Sequence, residues 1–435
     1  MTGFAAPPGA GDTAAPATGP ETRQARGYEL RVLVLLGLAY GFAYFDRMSM
    51  TFLSPFVQKD LSLNNEQIAW LGSGLSLTWA LGAYFVGRWS DRIGRRKPFL
   101  LAALVIFSMC SVLSGLSWSF GSLLASRIVM GAAEGPFLPI CLAIMVAASA
   151  ESRKGLNAGV VQNVFGSIIG TALAPIVLTR LAEAYDWRTA FLLAGIPGLV
   201  LAALIWRWIA EPEHAAPAQP RTPMTLAGEL QAIGDLLKVR NVWLCALVSI
   251  FAVGSIVVGS IFMPLYLAGP RGFDSITWGN MMAVTGICPA IGAVLAGLLS
   301  ERIGRKPALV LFALLMAIAP AALLWLDSGP VGLTALMFIS WMGLGTFPLF
   351  MGVIPAETLG AARAASGMGI VVAIGEIFGG FALPPVIGRL ADSYSLDMAL
   401  YLQMALALVA GLVALLVRET NPRVLARRGL APLTA

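Results

Sequence analysis

Four ionisable residues stand inside long apolar runs: Asp46 and Arg47 in one, Arg127 and Glu134 in another. A charged side chain at the centre of a bilayer is disfavoured by about 2.5–3.5 kcal/mol on insertion scales, and by more in simulations. Keeping four of them requires compensation, by mutual pairing, by a water-filled cavity, or by both. Arg127 and Glu134 are two helical turns apart, about 10 Å along an axis, and so share a face. Gly131, Gly135, Pro136 and Pro139 surround Glu134, and such residues let a helix bend and neighbours approach closely. Burial disfavours an ionised carboxylate and a nearby guanidinium favours it. A site alternating between a dry state and a wet, arginine-paired state would therefore bind and release a proton in each cycle. An anionic substrate would compete with Asp46 or Glu134 for the arginines, which predicts symport of anion and proton. The structural alternative is a pair of buried ion bridges, Asp46–Arg47 and Arg127–Glu134, that hold helices together.

Trp79, Gln162, Asn163, Phe165 and Glu376 are further candidates for a cavity wall. Gln162 and Asn163 are adjacent, and neighbours in sequence are not expected to share one helical face. Glu376 is a lone acid flanked by Gly375, Gly379 and Gly380. It either faces the cavity or, protonated, bonds a neighbouring helix. The four cysteines, Cys110, Cys141, Cys245 and Cys288, lie in apolar runs without metal or redox spacing. The only histidine, His214, sits in a polar stretch. No nucleotide loop, metal cluster or nucleophile triad is visible, so neither an enzyme nor a cofactor is expected.

The surrounding chain says what must position these residues. Of 435 residues, 58% are hydrophobic and 12% charged, against roughly 25% charged in a soluble domain. The net charge of +6 is dispersed in short clusters between apolar segments, which argues against nucleic acid as a partner and for membrane topology signals. A helix needs about 20 apolar residues to cross the bilayer. Such runs fall near 31–56, 67–88, 98–117, 121–148, 156–180 and 188–209, then near 241–269, 276–299, 307–326, 331–354, 364–388 and 395–417. The fold class expected is all-α membrane protein, with twelve transmembrane helices in two six-helix bundles, 31–210 and 241–417. A Pro-rich linker, 211–240, joins them. Residues 1–30 read as a disordered tail without the apolar core of a signal peptide, and 418–435 as a second tail. Most of the 29 Lys and Arg fall on the side of the two termini; the other side holds only Lys59, Arg180, Arg188, Arg271 and Arg389. That bias places both termini in the cytoplasm and the chain in an inner membrane.

The halves repeat. Gly87-Arg88-Trp89-Ser90-Asp91-Arg92-Ile93-Gly94-Arg95-Arg96-Lys97 follows span 2, and Gly297-Leu298-Leu299-Ser300-Glu301-Arg302-Ile303-Gly304-Arg305-Lys306 follows span 8. Both loops resemble the signature of the major facilitator superfamily, and the resemblance covers nearly the whole chain. It implies two bundles rocking about a central cavity, with Asp91, Arg92, Arg95, Arg96, Glu301, Arg302 and Arg305 forming a cytoplasmic gate that latches an outward-open state. Tyr44-Phe45-Asp46-Arg47 and the stretch Arg127 to Pro136 further resemble the anion:cation symporter family. That resemblance implies that Arg47 engages a substrate carboxylate, Asp46 and Glu134 carry protons, and Tyr44 lines the cavity. The substrate-binding set is then Arg47, Tyr44, Trp79, Arg127, Gln162, Asn163 and Glu376.

The function expected is a proton-coupled symporter, working as a monomer, that imports a small organic anion. A monocarboxylate with an apolar or aromatic body is favoured over a sugar acid. Trp79, Phe165 and the scattered serines Ser249, Ser255 and Ser260 offer few partners for several buried hydroxyls, each costing about 1–3 kcal/mol if unpaired. The alternatives are a proton-coupled drug or metabolite efflux antiporter, and a receptor or scaffold that moves nothing.

Overall fold

A computed structural model describes residues 20–211, 226–427 and 429. The linker prolines and His214 lie outside the described residues. Among the described residues, twelve helices long enough to cross a membrane follow in two sets of six. They are α1 (Arg26–Asp60), α2 (Asn65–Ile93), α3 (Lys97–Gly115), α4 (Phe120–Ala148), α5 (Glu151–Ala184), α6 (Trp187–Trp208), α7 (Arg240–Ala268), α8 (Ser275–Ile303), α9 (Arg305–Trp325), α10 (Pro330–Leu359), α11 (Arg363–Ser393) and α12 (Asp397–Ala414). Eleven are apolar enough to be read as spans by hydropathy alone. The exception is α2, where Gly72, Ser73, Gly74, Ser76 and Thr78 dilute the apolar run. The helix of α1 reaches back to Pro20, well before the apolar run at 31. There, Glu29 accepts hydrogen bonds from Arg153 and Asn157 and ties the start of α1 to the start of α5. All four cysteines are free and buried.

Small residues set the helix spacing. A Cβ on Gly37 would meet the ring of Phe165, and one on Gly166 the ring of Tyr40; Gly41 and Gly170 repeat the exchange with Ile169 and Tyr44. Glycines four apart on α1 and α5 thus receive each other's large side chains, the close approach that membrane helices favour. On α4, a Cβ on Gly131 would press on the Leu75 carbonyl, and one on Gly135 on the Trp79 carbonyl, so α4 lies directly on the backbone of α2. The α-helical course of α4 breaks after Glu134 and resumes at Phe137, where Pro136, which has no N–H, interrupts the bonding ladder.

Inside each half, a carboxylate just beyond the sixth span returns to the start of the third. Glu211 accepts from the amides of Arg96 and Lys97 at the head of α3. Glu419 does the same for Arg305 and Lys306 at the head of α9. Helix starts have unpaired amides and a partial positive charge, so an acid there is stabilising. The residues after α12 are held in place: the Asn421 side chain donates to the carbonyls of Ser300 and Glu301, and Val424 and Leu425 are buried.

Candidate functional site

The halves meet on the side away from the termini. The Asp392 carboxylate, at the end of α11, accepts from the amides of Asn65 (2.8 Å) and Glu66 (2.9 Å) at the head of α2. At the corresponding place, Ser275 at the head of α8 donates to Glu183 at the end of α5. These acids occupy a second internal repeat, Arg180-Leu181-Ala182-Glu183-Ala184-Tyr185 against Arg389-Leu390-Ala391-Asp392-Ser393-Tyr394. The repeat is visible in the sequence, but its partners, two backbone amides for Asp392 and the Ser275 hydroxyl for Glu183, lie in the other half and leave no local signature. Close packing supports the seam: Thr171 donates to the Gly286 carbonyl, and Gly279 abuts Thr179. On the terminus side, among the described residues, no hydrogen bond or ion pair joins the halves. Arg92, Arg95, Glu301 and Arg302 are exposed there. Arg305 pairs within its own half with Glu357 at 2.9 Å, and the Arg96 guanidinium donates to the Ala143 carbonyl. The Asp91 side chain lies outside the described residues.

Between the seam and the separated ends is a cavity of about 430 Å³. The expected substrate-binding residues Tyr44, Arg47, Trp79, Arg127, Gln162, Asn163 and Glu376 all line it. Phe165 does not; it is turned into α1 against Gly37. Of the span 7 serines, only Ser260 reaches the wall. Ser255 donates to the Gln403 carbonyl, and Ser249 packs on Gly375. Gln162 and Asn163 share the cavity face after all, against the expectation from α-helical spacing. Residues Val160–Leu173 are π-helical, a wider winding with bonds from i to i+5, and both side chains border one broad opening. Glu376 also lies in a π-helical stretch, Gly375–Ala382.

The two buried ion bridges are not formed among these residues in this conformation. Asp46 is fully buried and accepts a hydrogen bond from Ser111, while its second oxygen has no protein partner. Arg47 turns the other way, with its guanidinium carbon 5.1 Å from the centre of the Trp79 ring, a cation–π contact. Consecutive residues on a helix diverge, so Asp46 enters the bundle while Arg47 enters the cavity. Arg127, 1% exposed, donates to the Arg47 carbonyl at 2.9 Å and approaches the Met130 sulfur. It therefore braces α1 from α4. Glu134 is buried behind this layer, with one oxygen unpartnered. Two carboxylates thus sit in the packed N-terminal half, and one uncommitted guanidinium reaches the cavity surface. No group of ligands suited to a metal ion occurs among the described residues.

The sequence matches the family described as Major Facilitator Superfamily over residues 36–383, and again over 260–434. It is similar to the hexuronate transporter of Bacillus subtilis (strain 168), 28% identical over 64% of this chain and 66% of that one, just under two thirds of that relative's length. It is also similar to the 3-(3-hydroxy-phenyl)propionate transporter of Escherichia coli (strain K12), 24% identical over 82% of each chain. Among solved structures it resembles a bacterial homologue of the human lysosomal transporter Spinster in an inward-facing and occupied conformation. The TM-score is 0.71 and the identity 18%, over 90% of this chain and 94% of that one.

Proposed function

We propose that this chain, which belongs to the major facilitator superfamily, is a proton-coupled symporter that imports a small organic anion across the inner membrane. The observation that carries the reading is Arg47. Its guanidinium lines the cavity, stacks on Trp79 and makes no hydrogen bond or ion pair with the described residues. A guanidinium can grip a carboxylate with two parallel hydrogen bonds. Arg127 holds the Arg47 backbone in place for that task. Asp46 and Glu134 carry the proton, being carboxylates in a packed layer next to the binding arginine. With the termini in the cytoplasm, the conformation described here is inward-open. The signature loops, Asp91 and Glu301 among them, then come together only when the opposite seam parts. The relatives support an acid as cargo, since one is named for a sugar acid and the other for an aromatic one. Against the expectation of few polar partners, the wall carries Tyr40, Tyr44, Ser76, Ser167, Gln162 and Asn163 on the N-terminal half, so it suits a hydroxylated acid as well as an aromatic one.

The test is uptake into energised membrane vesicles with a panel of aromatic, short hydroxy and sugar acids. Accumulation of an acid that collapses with a protonophore and survives removal of sodium is the expected result. Accumulation that needs sodium and ignores the protonophore would sink proton coupling.

A further inference from the structure

Arg47 has an opposite number. Three charged residues line the cavity, and they are not equivalent. Arg127 is committed to the Arg47 carbonyl and is almost wholly buried. Arg47 on α1 is uncommitted. Glu376 on α11, from the other half, is likewise without a hydrogen bond or ion pair among the described residues. Its carboxylate rests against Gly380, where a Cβ would come within 2.8 Å of an oxygen; the glycine leaves the acid room to face the cavity. The wall it shares on the C-terminal half is otherwise mostly apolar, with Val253, Val257 and Phe347. Arg47 and Glu376 do not reach each other, since no ion pair within 4.0 Å joins them. One cavity therefore presents an unpaired guanidinium from one half and an unpaired carboxyl group from the other, separated by a gap that a ligand can bridge.

From this juxtaposition, and resting on the anion reading above, we propose that the substrate is a small carboxylate with a hydrogen-bond donor, a hydroxyl or an ammonium, on the end remote from the carboxylate. Glu376 is the acceptor that selects for it. An acid without such a donor leaves Glu376 facing an apolar body, and a polar group shut away from water without a partner disfavours that complex. Sites built to bond a substrate hydroxyl reject the analogue lacking it far more strongly than apolar pockets reject an extra methylene. The cavity volume of about 430 Å³ lies in the range of small-ligand pockets, about 300–1,000 Å³, which suits one ring or a short chain between the two charges. A bridging ligand also ties the two halves together, which is the contact a rocking carrier needs when it closes around its load.

The experiment is calorimetric binding to the purified full chain in detergent, using two matched series. One is phenylpropionate with its ring-hydroxylated isomers. The other is hexanoate with its ω-hydroxy and ω-amino forms. In the unaltered protein, at least one donor-bearing acid should bind about ten-fold or more tightly than its parent. In Glu376→Ala that ratio should collapse to about two-fold or less. Glu376→Gln keeps the shape and an acceptor oxygen, so it should preserve part of the hydroxyl advantage and lose the ammonium advantage. A parent acid that binds as well as its donor-bearing forms, or an advantage that survives in Glu376→Ala, overturns the proposal while leaving anion transport standing. If no acid in either series binds, the inference fails while the uptake panel of sugar and short hydroxy acids still tests the anion reading; if Arg47→Ala leaves binding of the parent acids unchanged, the anion reading itself fails and this inference falls with it.

Discussion

The two halves of the molecule match at the membrane faces and diverge in the middle. On the terminus side, Glu211 and Glu419 close the heads of α3 and α9 in the same way. On the far side, Glu183 and Asp392 occupy the same place in a repeated hexapeptide and meet the heads of α8 and α2. Near the midplane the likeness stops. The N-terminal half carries Asp46, Arg47, Arg127 and Glu134 within two helices, whereas the C-terminal half offers Glu376 alone to the cavity. Two copies of one scaffold can thus keep matching contacts at their ends, while the charged residues within their spans differ. On the proposed reading, the ends answer to a motion both halves share and the middle to a cargo that each half touches differently.

That contrast can be broken most directly at Arg47. Arg47→Ala should weaken substrate binding by about thirty-fold or more, since removing one partner of a buried charged pair costs about 2–5 kcal/mol. Arg47→Lys should recover little of it. Wild-type affinity in the lysine variant, measured by calorimetry, would reduce the role of Arg47 to charge compensation. Next in size is Gly286→Ala on the seam. Its Cβ would lie 2.1 Å from the Thr171 carbonyl of the other half, and overpacking of this kind costs about 1–3 kcal/mol. Spin-label distances between the far ends of α5 and α8 should lengthen as the population moves to the state open on that side; an unchanged distribution would show that the seam does not control closure.

Glu134→Gln tests the coupling assigned to the N-terminal half. It keeps the shape but cannot titrate, so counterflow exchange should persist while proton-driven accumulation falls to equilibration. A variant that still concentrates its substrate would move the proton to Asp46 or Glu376, and would bring the C-terminal half into the coupling. The smallest effect is expected at the paired acids. Asp392→Asn loses a carboxylate from a helix start, worth about 0.3–1 kcal/mol, so the same distance measurement should shift by about two- to five-fold in population. Glu183→Gln should shift it less, because its partner is a single hydroxyl rather than two amides. Equal or reversed effects would argue that the two clamps are not the counterparts their sequences suggest.

How much of this was legible beforehand follows from what each feature depends on. The spans and signature loops are local patterns, and the helices extend past the apolar runs only where polar ends continue the winding, as from Pro20 into α1. The charged residues announced themselves by their cost in an apolar run, but their partners did not. Asp46 is held by Ser111, 65 residues away, and Arg127 by a backbone carbonyl that any residue could supply. Pairing by type and spacing therefore suggested Asp46–Arg47 and Arg127–Glu134, neither of which forms here. The placing of Gln162 and Asn163 failed for another reason: the inference assumed α-helical winding, and the π-helical stretch could not be read from its composition.

Those two π-helical stretches, Val160–Leu173 and Gly375–Ala382, have a consequence of their own. Each carries cavity residues, Gln162 and Asn163 in one and Glu376 in the other. A stretch bonded from i to i+5 can tighten to i to i+4 and keep a bonded ladder, with a change in both the phase and the rise of the winding. Everything beyond the tightened turn then rotates about the axis, while its ends stay anchored in the membrane. The polar residues of the cavity wall would in this way turn toward or away from its centre without the tilting of a whole helix.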